Sequence, residues 1–275
     1  MLIKKIAAIC CAAALFFTSA PSSRAEEAIE LPVLMYHHIS ADPARWGEYV
    51  VSPETFEEDL KYLSELGYSS VSVRELIDYV DGRGTLPEKA VMITFDDGQR
   101  SFAEYALPLL EKYDMCAVAA IVGKYADEYT ESGDRSVSYA YMGWPELAEL
   151  ASSPHVELQS HSYDMHSLKT RKGCAMMSDE AETDYAKTFS SDISQLNSRF
   201  TEHIGAEPLS FAYPFGIRCS VSRRLLLDSG CRAMFTCDER VNHITHDPGC
   251  LYELGRFNRP NDANRYWFFL KMGIG

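Results

Sequence analysis

Ala90-Val91-Met92-Ile93-Thr94-Phe95-Asp96-Asp97-Gly98 decides the fold and points to the chemistry. The apolar run that opens it reads as a buried strand over residues 91–95. Two adjacent carboxylates follow where the strand opens into a loop, and Gly98 lets the backbone turn sharply. Adjacent strand residues point opposite ways. One aspartate can therefore face a bound metal while the turn swings the other toward a substrate. Barrel enzymes place their chemistry where strand ends feed loops. A solvated Asp-Asp-Gly turn is the plain alternative, and the rest of the chain has to separate the two.

Working outward, strand and helix alternate. Residues 31–36 are a short apolar strand ending in His37-His38. Ser52-Pro53-Glu54 caps a helix whose Phe56, Leu60, Leu63 and Leu66 recur at helical spacing until Gly67 stops it. Residues 70–73 read as a strand, and a helix starts at Val73. Residues 102–113 read as a helix and 117–122 as a strand. Residues 127–140 are polar and read as an irregular surface insertion. Trp144-Pro145-Glu146 opens a helix, and the strand over 156–159 ends at Ser160-His161. Residues 169–183 read as an excursion loop and 185–203 as a long amphipathic helix. The strand over 210–213 is ended by Pro214-Phe215-Gly216, and a helix over 222–229 precedes a strand over 233–236. This alternation, with no internal repeat, predicts an α/β fold, a parallel β/α barrel in a single domain over residues 26–275.

Four strand ends carry unusual residues: His37-His38, Asp96-Asp97, His161 with His166, and Tyr213-Pro214-Phe215-Gly216. In a parallel barrel these ends share one face. His161 and His166 are five apart, about 500° around a regular helix, so on a helix the rings would diverge. A loop can bring both to one ion. Two histidines and one carboxylate form a common divalent-metal set with positions left for water and substrate. Two ordinary loop histidines are the alternative. Of His37 and His38, at most one should point inward if strand alternation holds.

TFDDG, then SHSYDMH, then FAYPFG, in this order, resembles the polysaccharide deacetylases of carbohydrate esterase family 4, with their NodB-homology fold. The resemblance covers essentially the whole chain after residue 25. It implies a deformed (β/α) barrel and a metal-dependent deacetylase. It implies Asp97, His161 and His166 as metal ligands, for one divalent ion, zinc first and cobalt, nickel or manganese as alternatives. Asp96 would be the base, and Tyr213, Pro214, Phe215 and Gly216 the substrate-binding or oxyanion segment. Two departures stand out. Ala212 and Phe215 replace the arginine and tyrosine of the third motif in many members, and Arg256 is the candidate to orient Asp96 instead. The C-terminal Leu-x-His is replaced by an N-terminal Leu34-Met35-Tyr36-His37, similar to the permuted arrangement of poly-β-1,6-N-acetylglucosamine deacetylases. His37 would then be the catalytic acid. Tyr36, Trp144, Tyr213 and Phe215 are candidates to stack on sugars, with core packing the commoner use of each.

The implied substrate is an N-acetylglucosamine-containing polysaccharide, losing N-acetyl or O-acetyl groups. A catalytically impaired carbohydrate-binding protein on the same fold is the alternative. So is a hydrolase of another amide or ester, since fold alone does not set function.

The first 25 residues read as a signal peptide. Lys4 and Lys5 precede a 12-residue apolar stretch, residues 6–17, too short to span a bilayer comfortably, and small residues follow to Ala25. Their removal takes away Lys4, Lys5 and Arg24 and no acid, moving the formal charge from −14 to −17. Such a chain repels nucleic acid and anionic membranes. An extracytoplasmic monomer with no membrane span in the mature chain is expected, either secreted free or held at the cell surface. Six cysteines remain, and export permits disulfides, with 15 possible pairings. Cys219, Cys231, Cys237 and Cys250 are close enough for local loops, and Cys116 is expected to be buried and free.

Overall fold

The computed structural model describes residues 28–275, so the expected leader over residues 1–25 lies outside the described residues. In chain order the elements begin β1 (Ile29–Leu31), β2 (Val33–Tyr36), β3 (His38–Ile39), β4 (Val50–Val51), α1 (Pro53–Glu65), β5 (Ser69–Ser70) and α2 (Val73–Val80). They continue β6 (Ala90–Phe95), α3 (Leu107–Lys112), β7 (Ala117–Ile121), α4 (Gly123–Ser132), α5 (Trp144–Leu150), β8 (Val156–Ser160) and α6 (Glu182–Ile204). The chain ends with β9 (Ser210–Ala212), α7 (Ser220–Asp228), β10 (Ala233–Phe235), β11 (Asn242–Ile244), β12 (Phe257–Asn258) and α8 (Arg265–Lys271).

Seven parallel strands run in the order β10-β9-β8-β7-β6-β2-β12, with β5 paired to the start of β6. The sheet curls until its two edges meet. Thr236 N–H donates to Leu254 O at 2.8 Å and Leu254 N–H to Met234 O at 2.7 Å. This seam closes the parallel α/β barrel that the alternation of elements predicts, in the deformed form that the resemblance implies. It also carries the segment just after it, residues 256–259, to the mouth of the barrel.

Alternation along the strands sorts the core into two layers. Val91, Ile93 and Phe95 of β6 face the outer helices, packing with Tyr36, Phe56 and Phe102. Ala90 and Met92 face the barrel interior, with Val33, Val118, Ala120 and Ala212, and α2 closes that side. Each large side chain fully buried this way stabilises the fold by roughly 1.5–3 kcal/mol. The same alternation sends Thr94 and Asp96 inward at the carboxyl end of β6.

Several expectations need correction. Residues 127–140 are not irregular throughout, because α4 runs to Ser132, buries Ala126 and stops at left-handed Gly133 (φ 66°). The strand expected over 31–36 is two strands: β1 pairs antiparallel with β11, and β2 joins the barrel after Pro32. Elements β11, β12 and α8 are too short or too lightly patterned to be read from sequence. Among the described residues all six cysteines are unpaired, and Cys116 is half-buried rather than buried. No helix among the described residues is long and apolar enough to cross a membrane.

Candidate active site

At the carboxyl ends of the strands lies a cavity of about 860 Å³. His37, Asp96, Asp97, His161, His166 and Phe215 are all on its wall. A smaller hollow of about 570 Å³ against α6 and α7 is lined by serines, Asn197, Thr201, Glu202, Glu207 and two aliphatic residues, and brings no comparable groups together.

Both aspartates reach the cavity side, although they are adjacent. The strand ends at Phe95, and Asp97 adopts a left-handed backbone (φ 74°), followed by Gly98 (φ 77°). That reversal cancels the alternation which would have turned Asp97 toward the helices. A non-glycine residue in this conformation is uncommon and is tolerated best by short polar side chains such as Asp.

Asp97 meets the two histidines. Oδ1 lies 3.4 Å from His161 Nε2 and 3.0 Å from His166 Nε2. One ligand atom from each residue falls within 4.8 Å of the others. Ligands about 2.0–2.2 Å from one ion at the tetrahedral angle stand roughly 3.4 Å apart, so the spacing fits a shared cation. Donor chemistry agrees. His161 Nδ1–H donates to Ala212 O at 2.8 Å, which fixes the tautomer and leaves the Nε2 lone pair toward Asp97. Burial alone would raise the Asp97 carboxyl, but the two histidines outweigh it and hold it well below the usual range.

Asp96 has a different partner. Arg256 donates to both carboxylate oxygens, Nη1 to Oδ1 at 2.6 Å and Nη2 to Oδ2 at 2.8 Å. The guanidinium is itself fully buried and held by Thr236 O and Thr94 Oγ1. Burial would raise the Asp96 carboxyl, yet the charge of Arg256, then that of His161, carries it down to about 2. The guanidinium that the third motif lacks at Ala212 thus reaches Asp96 from the barrel seam.

His37 sets its ring edge-on to Tyr49 at 5.0 Å, and its Nδ1 is buried with no hydrogen-bond partner among the described residues. Burial lowers its pKa, and the opposing charges of Asp96 and Asp97 do not fully offset this. His38 also lines the cavity, against the expectation that one of the pair points away. The break between β2 and β3 falls at His37, so strand alternation does not carry across the pair. His38 Nδ1 lies 2.9 Å from Ser101 Oγ.

The third motif divides. Phe215 is exposed at the rim in a left-handed turn (φ 58°) with its ring 4.5 Å from that of His166. Gly216 (φ 68°) fits only glycine, since a Cβ there would sit 2.9 Å from Cys237 N. Pro214 is buried, and Tyr213 is turned away from the cavity into the core with Phe211 and Met234. The reason is strand period. Phe211 and Tyr213 face the helices, while Ala212 faces the barrel. Tyr36 and Trp144 are core residues too, so of the four aromatics considered for sugar stacking only Phe215 is available.

Two buried acids escape a reading of the sequence. Asp192 of α6 accepts the N–H groups of Tyr163 (2.8 Å) and Asp164 (2.7 Å), holding the loop between His161 and His166. Asp59 of α1 accepts from Tyr36, Arg259 and Arg265. The signal was present. Each acid sits on its helix's apolar stripe, in Phe56-x-x-Asp59-x-x-x-Leu63 and Phe189-x-x-Asp192-x-x-x-Leu196.

Fold and site together define a carbohydrate-esterase type of α/β barrel, and the chain belongs to the polysaccharide deacetylase family, whose model matches residues 83–234. It is 28% identical over 224 residues to the poly-β-1,6-N-acetyl-D-glucosamine N-deacetylase of Escherichia coli K12, covering 74% of this chain and 33% of that protein. It is 26% identical over 194 residues to the protein of that name from Staphylococcus aureus MRSA252, covering 70% and 63%. The match thus spans less than two thirds of either relative. Among solved structures, IcaB from Ammonifex degensii is similar with a TM-score of 0.71 at 25% identity, over 89% of this chain and 97% of that one. A de-N-acetylase from Aggregatibacter actinomycetemcomitans shares the fold, with a TM-score of 0.72 at 24% identity over 86% and 97%.

Proposed function

We propose that this chain is an exported, metal-dependent N-deacetylase of an N-acetylglucosamine-containing polysaccharide. One observation carries this: Asp97, His161 and His166 converge beside an Asp96 that Arg256 holds separately. Asp97, His161 and His166 would hold one divalent ion, zinc best by donor type. Bound there, the ion would supply Lewis acidity, lowering the pKa of a water to about 7 and polarising the acetyl carbonyl. Asp96, kept ionised and oriented by Arg256, accepts the proton of the attacking water. His37 delivers a proton to the departing amine, a poor leaving group without it. The Phe215 N–H at the rim is the candidate donor to the developing oxyanion, the Gly216 N–H being taken by Tyr213 O at 2.8 Å.

His37 also fits the role of base. A carboxyl at about 2 is a weak proton acceptor, whereas burial favours the neutral, proton-accepting form of the His37 imidazole. His37 would then take the water's proton and return it to the amine, with Asp96 and Arg256 holding charge and position.

Export rests on the basic, apolar and small-residue succession over residues 1–25. A mature N-terminus near residue 26 in secreted material is expected, and an intact residue 1 there would remove this part. The activity is tested by an acetate-release screen on β-1,6-linked glucosamine, chitin, peptidoglycan and acetyl-xylan oligomers, with and without chelator. Release from an N-acetylglucosamine polymer that stops with chelator is expected. Release from acetyl-xylan alone would make the protein an O-deacetylase. No release from any of them would favour a binding protein on this fold.

A further inference from the structure

The loop between His161 and His166 is tied down along its length. Ser162 adopts a left-handed backbone (φ 71°), a costly conformation for a residue with a Cβ. The next two N–H groups, of Tyr163 and Asp164, point the same way and form a small anion-binding concavity. The anion that fills it is a side chain of the protein. Asp192 of α6 accepts Tyr163 N–H at Oδ1 (2.8 Å) and Asp164 N–H at Oδ2 (2.7 Å). Ser162 Oγ accepts Met165 N–H at 3.1 Å. The carbonyls are held too. Gly123 and Lys124, at the start of α4, donate N–H groups to Ser162 O (3.1 Å) and Tyr163 O (3.0 Å). Gly123 lets α4 come this close, because a Cβ there would sit 2.7 Å from Tyr163 Cδ2.

This clamp matters unequally to the two histidines. His161 is fixed at the end of β8, its N–H donating to Ile121 O at 2.9 Å and its Nδ1–H to Ala212 O at 2.8 Å. Apart from Asp97, the polar neighbour of the His166 ring is the Tyr125 hydroxyl, 3.5 Å from Nδ1 and at the edge of hydrogen-bond range. The place of His166 is therefore set by the backbone of residues 162–165, and that backbone by Asp192. An asparagine at 192 would not serve, because its one oxygen meets one N–H and its amide nitrogen faces the other. Asp192 is buried and faces no cation among the described residues, so the two N–H groups are what offset the cost of a carboxylate there.

We propose that Asp192 is a positioning residue for the metal site, holding His166 at binding distance before an ion arrives. The inference rests on Asp97, His161 and His166 being the ligands, and it adds a determinant of metal affinity that never touches the ion. A loop ordered in advance spares the ion the cost of ordering it.

The test is the zinc affinity of the metal-stripped full protein, by competition with a chromophoric chelator. Asp192→Asn should bind zinc about 10–100-fold more weakly. Arg259→Leu, destabilised elsewhere, should stay within about twofold of the parent. His166→Ala should also weaken binding, but adding Asp192→Asn to it should cost less than about threefold more, because both act through one ligand. If Asp192→Asn weakened binding by the same factor in both backgrounds, its role would be merely structural and the inference would fail. Hydrogen exchange on the metal-stripped parent carries the test should Asp192→Asn not fold. The Tyr163 and Asp164 N–H groups should exchange slowly without metal, and free exchange that slows only on adding zinc would overturn the inference. A parent that binds no divalent ion would sink the metal site and this inference with it. A tight-binding parent matched by Asp192→Asn would sink the positioning role alone.

Discussion

Two buried arginine–carboxylate pairs flank β12, one on each face. Arg256 points inward to Asp96, and Arg259 points outward to Asp59. Both are fork-shaped contacts, with Arg259 donating from Nε at 2.7 Å and Nη2 at 3.1 Å. Their partners differ. Asp59 is saturated, because Tyr36 and Arg265 also donate to it and it is fully buried. Asp96 borders the cavity, the Asp97–His161–His166 cluster and His37. The adjacent Tyr36 and His37 repeat the division, Tyr36 serving Asp59 and His37 facing the cavity. The same ion-pair chemistry thus locks the C-terminal segment to α1 on one face and presents a carboxylate to the cavity on the other. Asp192, with two backbone N–H donors and no cation, is the contrast to both. Burial pushes its carboxyl up to about 6.

The comparison breaks or holds on a pair of variants. Arg256→Leu should cost about 3–5 kcal/mol of stability in urea unfolding, because it strands the buried Asp96 charge, and Arg259→Leu should cost less, because Arg265 still pairs with Asp59. Only Arg256→Leu should also lose acetate release per folded molecule. Equal losses of activity would mean that both pairs are merely structural.

His37→Ala separates its two candidate roles. Hydrolysis of N-acetyl substrate should fall by about 10²–10⁴. With 4-nitrophenyl acetate, whose leaving group needs no proton, the rate should fall less than about tenfold if Asp96 is the base. An equal fall on both substrates assigns the base to His37.

Asp192 sharpens the contrast through pH. An unfolded aspartate titrates near 3.9 and this one at about 6, so between those values the folded state holds the extra proton. Its contribution is complete below about pH 4 and is lost as pH rises through 6, by about 3 kcal/mol. Unfolding of the parent and of Asp192→Asn at pH 4 and pH 7 should show the gap between them changing by that amount in favour of the variant. A constant gap would mean that the two backbone N–H groups keep Asp192 ionised throughout. The smallest effect is expected from Gly98→Ala, about 1–2 kcal/mol by thermal melt, since φ is 77° and a Cβ would sit 3.2 Å from Ile121 Cδ1.

What was legible in the sequence was local. The strand period around Asp96-Asp97 and the loop carrying His161 and His166 could be read because each lies within a few residues. Arg256 could be picked out as a cation in an apolar frame, but its bond to Asp96 joins residues 160 apart, and only the barrel seam makes that contact. The inward turn of Asp97 is a backbone reversal that residue type permits but does not dictate. Tyr213 was misplaced because a motif was read as a unit where strand period splits it. Asp59 and Asp192 were passed over because acids on helices are usually solvated, although their apolar neighbours marked them as buried.

The central claim is that adjacent aspartates divide the work, Asp97 holding the ion and Asp96 serving the reaction. Elemental analysis paired with acetate release on purified Asp96→Asn and Asp97→Ala tests it most directly. The account expects about one divalent ion per chain and almost no acetate from Asp96→Asn, and loss of both from Asp97→Ala. Full activity in Asp96→Asn, or unchanged metal in Asp97→Ala, would contradict it.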